Sequence, residues 1–252
     1  SIRLARLAKD AGVRRFLYAS TCSVYGATGG DELVTEDAPL RPVTAYAESK
    51  VRVEDALFAL GDPDFCPVSL RNATAFGFSP RLRADIVLNN LVGHAVLDGV
   101  VRVLSDGTPW RPLVHAADIA AAFRAALTAP RHAVHCRALN IGFDANNVTV
   151  AQIADAVVAT VPGSTLAVTG EAGADPRSYR VDFAAARAAL PDFDPQWTIA
   201  AGARELHRAY LEHGLTKRDF ERRFTRLARI SDRQASGELA ADLYPAPTKV
   251  PR

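Results

Sequence analysis

Tyr46 and Lys50 stand four residues apart in the run Tyr46-Ala47-Glu48-Ser49-Lys50. On a helix, that spacing puts both side chains on one face, one turn apart. A tyrosine ordinarily titrates near about 10, too high for a base at neutral pH, and a neighbouring ammonium lowers that value by stabilising the phenolate. With a hydroxyl held on the same reacting oxygen, the set could take a proton from a carbinol while a separate acceptor removes hydride. Thr21 offers that hydroxyl, in Ala19-Ser20-Thr21-Cys22-Ser23-Val24-Tyr25-Gly26. Both features also have plainer readings. Tyr-x-x-x-Lys occurs as a surface pair without a role, and a strand-end threonine can simply cap backbone.

The elements that must position these residues follow from the apolar pattern. Phe16-Leu17-Tyr18-Ala19 reads as a buried strand, which puts Thr21 at its carboxyl end, where active sites of doubly wound sheets sit. A polar loop through Gly26, Gly29 and Gly30 leads to a helix starting near Tyr46, with Val53, Ala56, Leu57 and Leu60 on one face. Before the strand, Leu4, Leu7, Ala8 and Ala11 fall at helical spacing, with Gly12 as C-cap. Further strands are expected at 67–70, 101–104, 138–141 and 166–168, with a turn at Asp106-Gly107. Helices are expected at 84–98, from Asp118 with Ile119, Ala122, Phe123 and Ala126 inward, and along Val150, Ile153, Ala154 and Val157. Strands alternating with helices argue for an α/β, doubly wound, mostly parallel sheet. From about Thr216 the chain turns basic. Residues 219–230 read as an amphipathic helix carrying Phe220, Phe224 and Leu227, followed by a loose tail with Pro245, Pro247 and Pro251.

Composition narrows the function classes. The 252 residues carry a net charge of +2, so no strong field argues for nucleic acid or a membrane surface. Acidic residues interleave the basic tail, which reads as a solvated face. No apolar run approaches the ~20 residues of a membrane span, and no signal peptide opens the chain. Cys22, Cys66 and Cys136 are scattered without metal or disulfide spacing; no metal is expected, and a reducing cytoplasm fits.

Taken together, these segments resemble the extended short-chain dehydrogenase/reductases of the NAD-dependent epimerase/dehydratase family, which work on nucleotide sugars. Thr21, then Val24-Tyr25-Gly26, then Tyr46, Ser49 and Lys50 are similar to the family's Ser/Thr–Tyr–Lys triad. Leu70-Arg71-Asn72-Ala73-Thr74-Ala75-Phe76-Gly77 resembles the strand after the catalytic helix, with Thr74 where the family has asparagine. Asn89-Asn90-Leu91 resembles the helix that contacts the sugar diphosphate. Gly107-Thr108-Pro109-Trp110-Arg111-Pro112-Leu113-Val114-His115, then Asp118, resembles the segment before an Asp-capped helix, with Pro112 replacing an aspartate. Asp175-Pro176-Arg177-Ser178-Tyr179 resembles a late phosphate-binding segment. The likeness runs from Ser1 to about Gly214.

The resemblance implies a Rossmann-like sheet over 1–78 and 101–145, a substrate-binding lobe over 79–100 and 146–214, and a basic tail over 215–252. It implies catalysis by Thr21, Tyr46 and Lys50, and NAD (or NADP) held by Ala19, Ser20, Tyr46, Lys50, Asn72 and Ala73. A nucleotide-diphosphate sugar would lie on Thr74, Asn90, Arg111 and Arg177, with His115 structural. A homodimer through the helices flanking the active site, including the Tyr46 helix, is the family's usual assembly.

The family's Gly-x-x-Gly-x-x-Gly loop, whose backbone approaches the pyrophosphate, does not occur in the sequence. The nearest run, Gly26-Ala27-Thr28-Gly29-Gly30, meets Asp31 and Glu32 and reads as a turn. The chain contains no methionine, and it opens inside a helix pattern. By resemblance this helix precedes the fifth strand, so on the order of 90 residues of βα units are expected ahead of Ser1. Without them, exposed apolar edges should leave the stretch poorly soluble and unable to bind NAD.

For the reaction, Cys22 and Ser23 stand where the family's 4,6-dehydratases resemble one another in carrying acidic residues. A thiol is a poor general acid for that elimination. The expectation is therefore 4-epimerisation through a transient 4-keto sugar, ahead of 4-keto reduction or dehydration. A non-catalytic binding module is the alternative of another class, and the intact trio speaks against it.

Overall fold

The computed structural model describes residues 1–28, 32–170 and 178–246. Helix α1 (Ile2–Asp10) turns at Gly12, with φ of 78°, into β1 (Arg15–Thr21). A 3₁₀ turn (Cys22–Tyr25), β2 (Leu33–Val34), α2 (Ala45–Ala59), β3 (Cys66–Asn72) and β4 (Thr74–Phe76) follow. Next come α3 (Val87–Asp98), β5 (Val100–Val103), β6 (Trp110–His115), α4 (Ala116–Thr128), α5 (Arg131–Val134) and β7 (Arg137–Ile141). The rest is β8 (Asn147–Thr149), α6 (Val150–Thr160), β9 (Thr165–Val168), β10 (Arg180–Val181), α7 (Ala184–Ala189), α8 (Ile199–Glu212), a π turn (Asp219–Arg223) and α9 (Arg226–Ala235).

Pairing is mostly parallel, as alternating strands and helices require. Strands β1, β3 and β7 form one parallel sheet in that order. Its register sets Thr21 beside Asn72 and Asn72 beside Ile141, so three carboxyl-terminal ends meet at one edge. Strand β4 pairs parallel with β6, β5 with β9 and β2 with β10, while β8 runs antiparallel to β6. One hydrophobic cluster holds Val68, Leu70, Leu139 and Ile141 against Tyr25, Ala122, Ala126 and Phe183. A second holds Leu88, Leu91 and Val92 against Val101, Val103, Ile153, Val157 and Leu206. A small third, Ala5, Tyr18 and Leu57, joins α1, β1 and α2.

The structure departs from the sequence pattern in four places. In α1 the buried residue is Ala5, and Leu4 and Leu7 remain 62% and 54% exposed, because only the small alanine faces Tyr18 and Leu57. Helix α3 begins at Val87 rather than residue 84. The Asn89 and Asn90 amides donate to the carbonyls of Arg83 and Ala84 and hold that stretch as a loop. Helix α4 is capped by His115, whose Nδ1 accepts from Ala117 N at 3.1 Å. Asp118 lies buried in the first turn instead, accepting from the backbone N–H groups of Gln196 and Trp197. The helix read over 219–230 is broken into the π turn and α9, and Thr225 Oγ1 donates to Phe220 O at 2.9 Å. Strand β6 and helices α7 and α8 add elements that the pattern did not separate. Gly29, Gly30, Pro247 and Pro251 lie outside the described residues.

Among the described residues, no helix is long and apolar enough to cross a membrane, and no group of three or more His, Cys, Asp or Glu could hold a metal ion.

The C-terminal segment is anchored by Phe220, 3% exposed, whose ring leaves no room for a Cβ on Gly93 and meets His94 edge-on at 5.1 Å. Phe220→Ala should cost about 3 kcal/mol of local stability. Limited proteolysis is expected to remove residues beyond Thr216 from the variant while the remainder stays intact; equal resistance would show that the segment is held elsewhere.

Candidate active site

Thr44 caps α2, its Oγ1 accepting from Ala47 N at 3.2 Å, which places Tyr46 in the first turn and Lys50 one turn on. The Lys50 ammonium donates to the Ala19 carbonyl of β1 at 2.7 Å. It stands 5.4 Å from the Tyr46 ring centre and 4.8 Å from that of Tyr18. Burial pushes the Lys50 amine below its ordinary range, and the Glu54 carboxylate opposes that shift. The Tyr46 side chain faces outward, the residue being 55% exposed, so α2 presents the phenol while tying the ammonium to the strand. Thr21, two residues beyond Ala19, is buried. Its Oγ1 accepts from Ser23 N and donates to Ser23 Oγ, both at 3.2 Å, so it caps the turn that follows.

At the same edge, the Asn72 amide donates to Ser20 O at 3.4 Å. Asn72 Oδ1 and Ser20 Oγ are buried without a hydrogen-bond partner. Such orphans cost stability unless something satisfies them. Here they sit at the carboxyl ends of adjacent parallel strands, beside the Lys50–Ala19 contact. Ala73 contributes backbone, its N–H donating to Ile141 O at 2.8 Å.

The residue that sequence reasoning missed is Glu54. Its carboxylate accepts from Arg71 at 2.7 Å, and the two side chains are 2% and 6% exposed. Arg71 also donates to Tyr25 Oη at 3.0 Å and to Glu36 O at 3.1 Å, and Tyr25 donates to Asn140 Oδ1 at 2.6 Å. Tyr46, Lys50 and Glu54 form an i, i+4, i+8 series, and a carboxylate on a helix face turned to the sheet was the available signal. Cys22 belongs to this buried layer: its thiol donates to Arg71 O at 2.9 Å, and burial pushes it far above its ordinary range.

The residues expected on substrate are more dispersed. Thr74 begins β4, opposite Leu113 of β6. Asn90 spends its amide on Ala84 O at 3.0 Å, and Asn89 is committed to Gly77 through both its oxygen and its nitrogen. Arg111 lies on β6 opposite Val148 and donates to Trp110 O at 2.9 Å. Arg177 lies outside the described residues. His115 is 3% exposed, stacked on Trp197 at 3.9 Å, with Nε2 on Glu205 at 2.8 Å. Since Nδ1 accepts from backbone, Nε2 carries the proton and donates. That is a structural histidine.

The sequence profile of the NAD dependent epimerase/dehydratase family matches residues 1–142. The chain belongs to that family. It is 26% identical over 203 residues to an uncharacterized UDP-glucose epimerase, YtcB, of Bacillus subtilis strain 168, covering 79% of this chain and 61% of that protein. It is 30% identical over 180 residues to UDP-glucose 4-epimerase uge1 of Schizosaccharomyces pombe, covering 62% of this chain and 50% of that protein. The chain thus spans 61% and 50% of the length of these two relatives. The solved structure of TunA, an NAD dependent NDP-hexosamine 5,6-dehydratase of tunicamycin biosynthesis, is alike in fold. Its TM-score is 0.73 at 22% identity, over 84% of this chain and 68% of that one.

In this member of the epimerase/dehydratase family, the Arg71–Glu54 pair decides where α2 sits. Glu54→Gln leaves a buried guanidinium short of its counter-ion and should cost about 3–5 kcal/mol in urea denaturation. Joint replacement by Glu54→Leu and Arg71→Met should cost less than either single change. Additive losses would mean that the pair does not act as a unit.

Proposed function

We propose that this chain carries the catalytic residues of an NAD-dependent nucleotide-sugar 4-epimerase, acting through a transient 4-keto sugar. The observation that carries the reading is the Lys50 ammonium, fixed on the Ala19 carbonyl with the Tyr46 ring one turn back on α2. Tyr46 is the base for the sugar 4-hydroxyl proton, Lys50 favours its phenolate, and the Thr21 hydroxyl, turning from Ser23, accompanies the reacting oxygen. When bound, NAD supplies reversible acceptance of the C4 hydride. The unpartnered Ser20 Oγ and Asn72 Oδ1 fit the amide and hydroxyl groups of its nicotinamide end, alongside Ala19, Lys50 and Ala73. NADP has the same nicotinamide end and the same fit.

The nucleotide diphosphate is assigned to Arg111 and Arg177, with Thr74 and Asn90 toward the sugar; planar guanidinium forks suit phosphate oxygens. On this reading the substrate lies between a Rossmann-like part over 1–78 and 101–145 and a lobe over 79–100 and 146–214. Strand β5, whose Val101 and Val103 join the second cluster, goes with the lobe instead, which moves the boundary expected at 101 to after Val103. Likeness to UDP-glucose epimerases supports epimerisation, and so does Cys22, whose thiol is bound to Arg71 O and raised by burial.

A complete protein that joins this chain to NAD-binding βα units, offered UDP- and dTDP-hexoses with NAD, should interconvert 4-epimers without net NADH change. Net oxidation of a reduced cofactor would instead assign a 4-ketoreductase. Tyr46→Phe should lower turnover by about 10²–10⁴-fold while sparing NAD binding. Activity that survives the change would remove Tyr46 from the mechanism.

A homodimer is assigned to the faces of α1 and α2, where Leu4 and Leu7 are exposed beside the Tyr46 helix. Light scattering should then read two copies, and Leu4→Asp with Leu7→Asp should return one; an unchanged mass would place the contact elsewhere.

A further inference from the structure

A cavity of about 430 Å³ lies between the loop carrying Arg81 and Arg83 and the C-terminal segment carrying Arg223, Arg226, Arg229 and Arg233. Among the described residues no carboxylate lines it, and Leu82, Phe224 and Ile230 supply apolar wall. Three of the arginines have carboxylate partners: Arg83 with Asp85 at 2.6 Å, Arg233 with Glu238 at 3.0 Å and Arg223 with Asp219 at 3.6 Å. The side chains of Arg81, Arg226 and Arg229 make no hydrogen bond or ion pair among the described residues. Arg226 acts on Asp85, and Arg229 on Asp232 and Glu238, only through the longer-range field.

Helix α9 begins at this cavity with Arg226. Its N-cap Thr225 gives its hydroxyl to Phe220 O, so no side chain caps the first-turn N–H groups. Cations at the positive end of a helix are arranged against its dipole. Six guanidiniums round one cavity repel one another. An anion relieves both conflicts at once, and guanidinium forks with helix N–H groups are a donor set for phosphate oxygens. The cavity wall is held in place: Ala84 N–H donates to Phe224 O at 3.0 Å, and Ala84 O accepts from Asn90 at 3.0 Å.

We propose that this cavity is a binding site for a phosphate-bearing anion, held by Arg81, Arg226, Arg229 and the first turn of α9. It is built on residues other than Arg111 and Arg177, and it stands or falls independently of the role of Tyr46. Its concavity, and the acidic residues Asp219, Glu221, Asp232 and Glu238 interleaved along the same segment, favour a small ligand over nucleic acid. The phosphate could come from the nucleotide of a sugar substrate or from a free phosphate compound.

Calorimetric titration of the chain with inorganic pyrophosphate, and separately with UDP, tests this. Pyrophosphate should bind, more weakly as salt rises. The exposed-residue variant R81Q/R226Q/R229Q should lose roughly tenfold or more in affinity, while R208Q, at an exposed arginine of α8 outside the cavity, retains it. Circular dichroism melting should show the triple variant folded, and R226Q alone, with a smaller loss, provides a second reading. Weakened UDP binding in the triple variant as well would make the nucleotide the source; a response to pyrophosphate alone would make it a free phosphate compound, and both support the site. Absence of pyrophosphate binding, or affinity undiminished in the triple variant, overturns it.

Discussion

The buried ion pair between Arg71 and Glu54 is the contact on which the proposed catalytic face depends. Removing two charges from water is costly, and their attraction offsets that cost only where the remaining donors are also satisfied. Here they are: Tyr25 and the Glu36 carbonyl take further guanidinium hydrogens, and Asn140 takes the Tyr25 proton. Helix α2 fully buries only Ala47, Glu54 and Leu57, too little apolar surface to fix its rotation by packing alone. A slip of one residue would strand the Arg71 guanidinium without a partner. The pair therefore sets the register of α2 on β3. Lys50 and Tyr46, one and two turns earlier on the same face, are aimed by it.

The same layer explains why the residues after Thr21 are what they are. Cys22 fills a buried position and bonds to Arg71 O, and Tyr25 closes the network at Asn140. The turn thus serves packing, and the strand edge above it keeps its polar atoms open. Ser20 Oγ and Asn72 Oδ1 are orphaned in a region where nearly every other polar group is satisfied. Stability by itself would have favoured pairing or replacing them, which is what supports their proposed place at the nicotinamide end of NAD.

The second cluster performs a different task. Tyr210 reaches Asn89 O, Glu205 binds both His115 and the N–H of Phe78, and Phe220 closes over Gly93. These contacts fasten α8 and the C-terminal segment to α3 and to the loop before it. The arginine cavity exists because that loop and segment are held together at Ala84 and Phe224.

Much of this was readable from residue order. Helical and alternating apolar spacing gave the βα succession, and Tyr46 with Lys50 at i, i+4, after a strand ending in Thr21, gave the centre of the candidate site. Those features are local: period and spacing act through the nearest turn or strand. The sequence alone could not show that Leu4 and Leu7 stay exposed, because burial depends on what faces a helix. It could not show that His115 rather than Asp118 caps α4, since Asp118 is claimed by Gln196 and Trp197 from far along the chain. Nor could it break the helix over 219–230, where one phenylalanine ring packing on Gly93 outweighs local periodicity. The partners of Glu54 and the six arginines lie well apart in sequence, so only the tertiary structure could assemble them. The sequence determined the chemistry available, through side-chain type and near spacing. The fold decided which charges were buried, paired or left open, because those properties belong to neighbours that are distant along the chain.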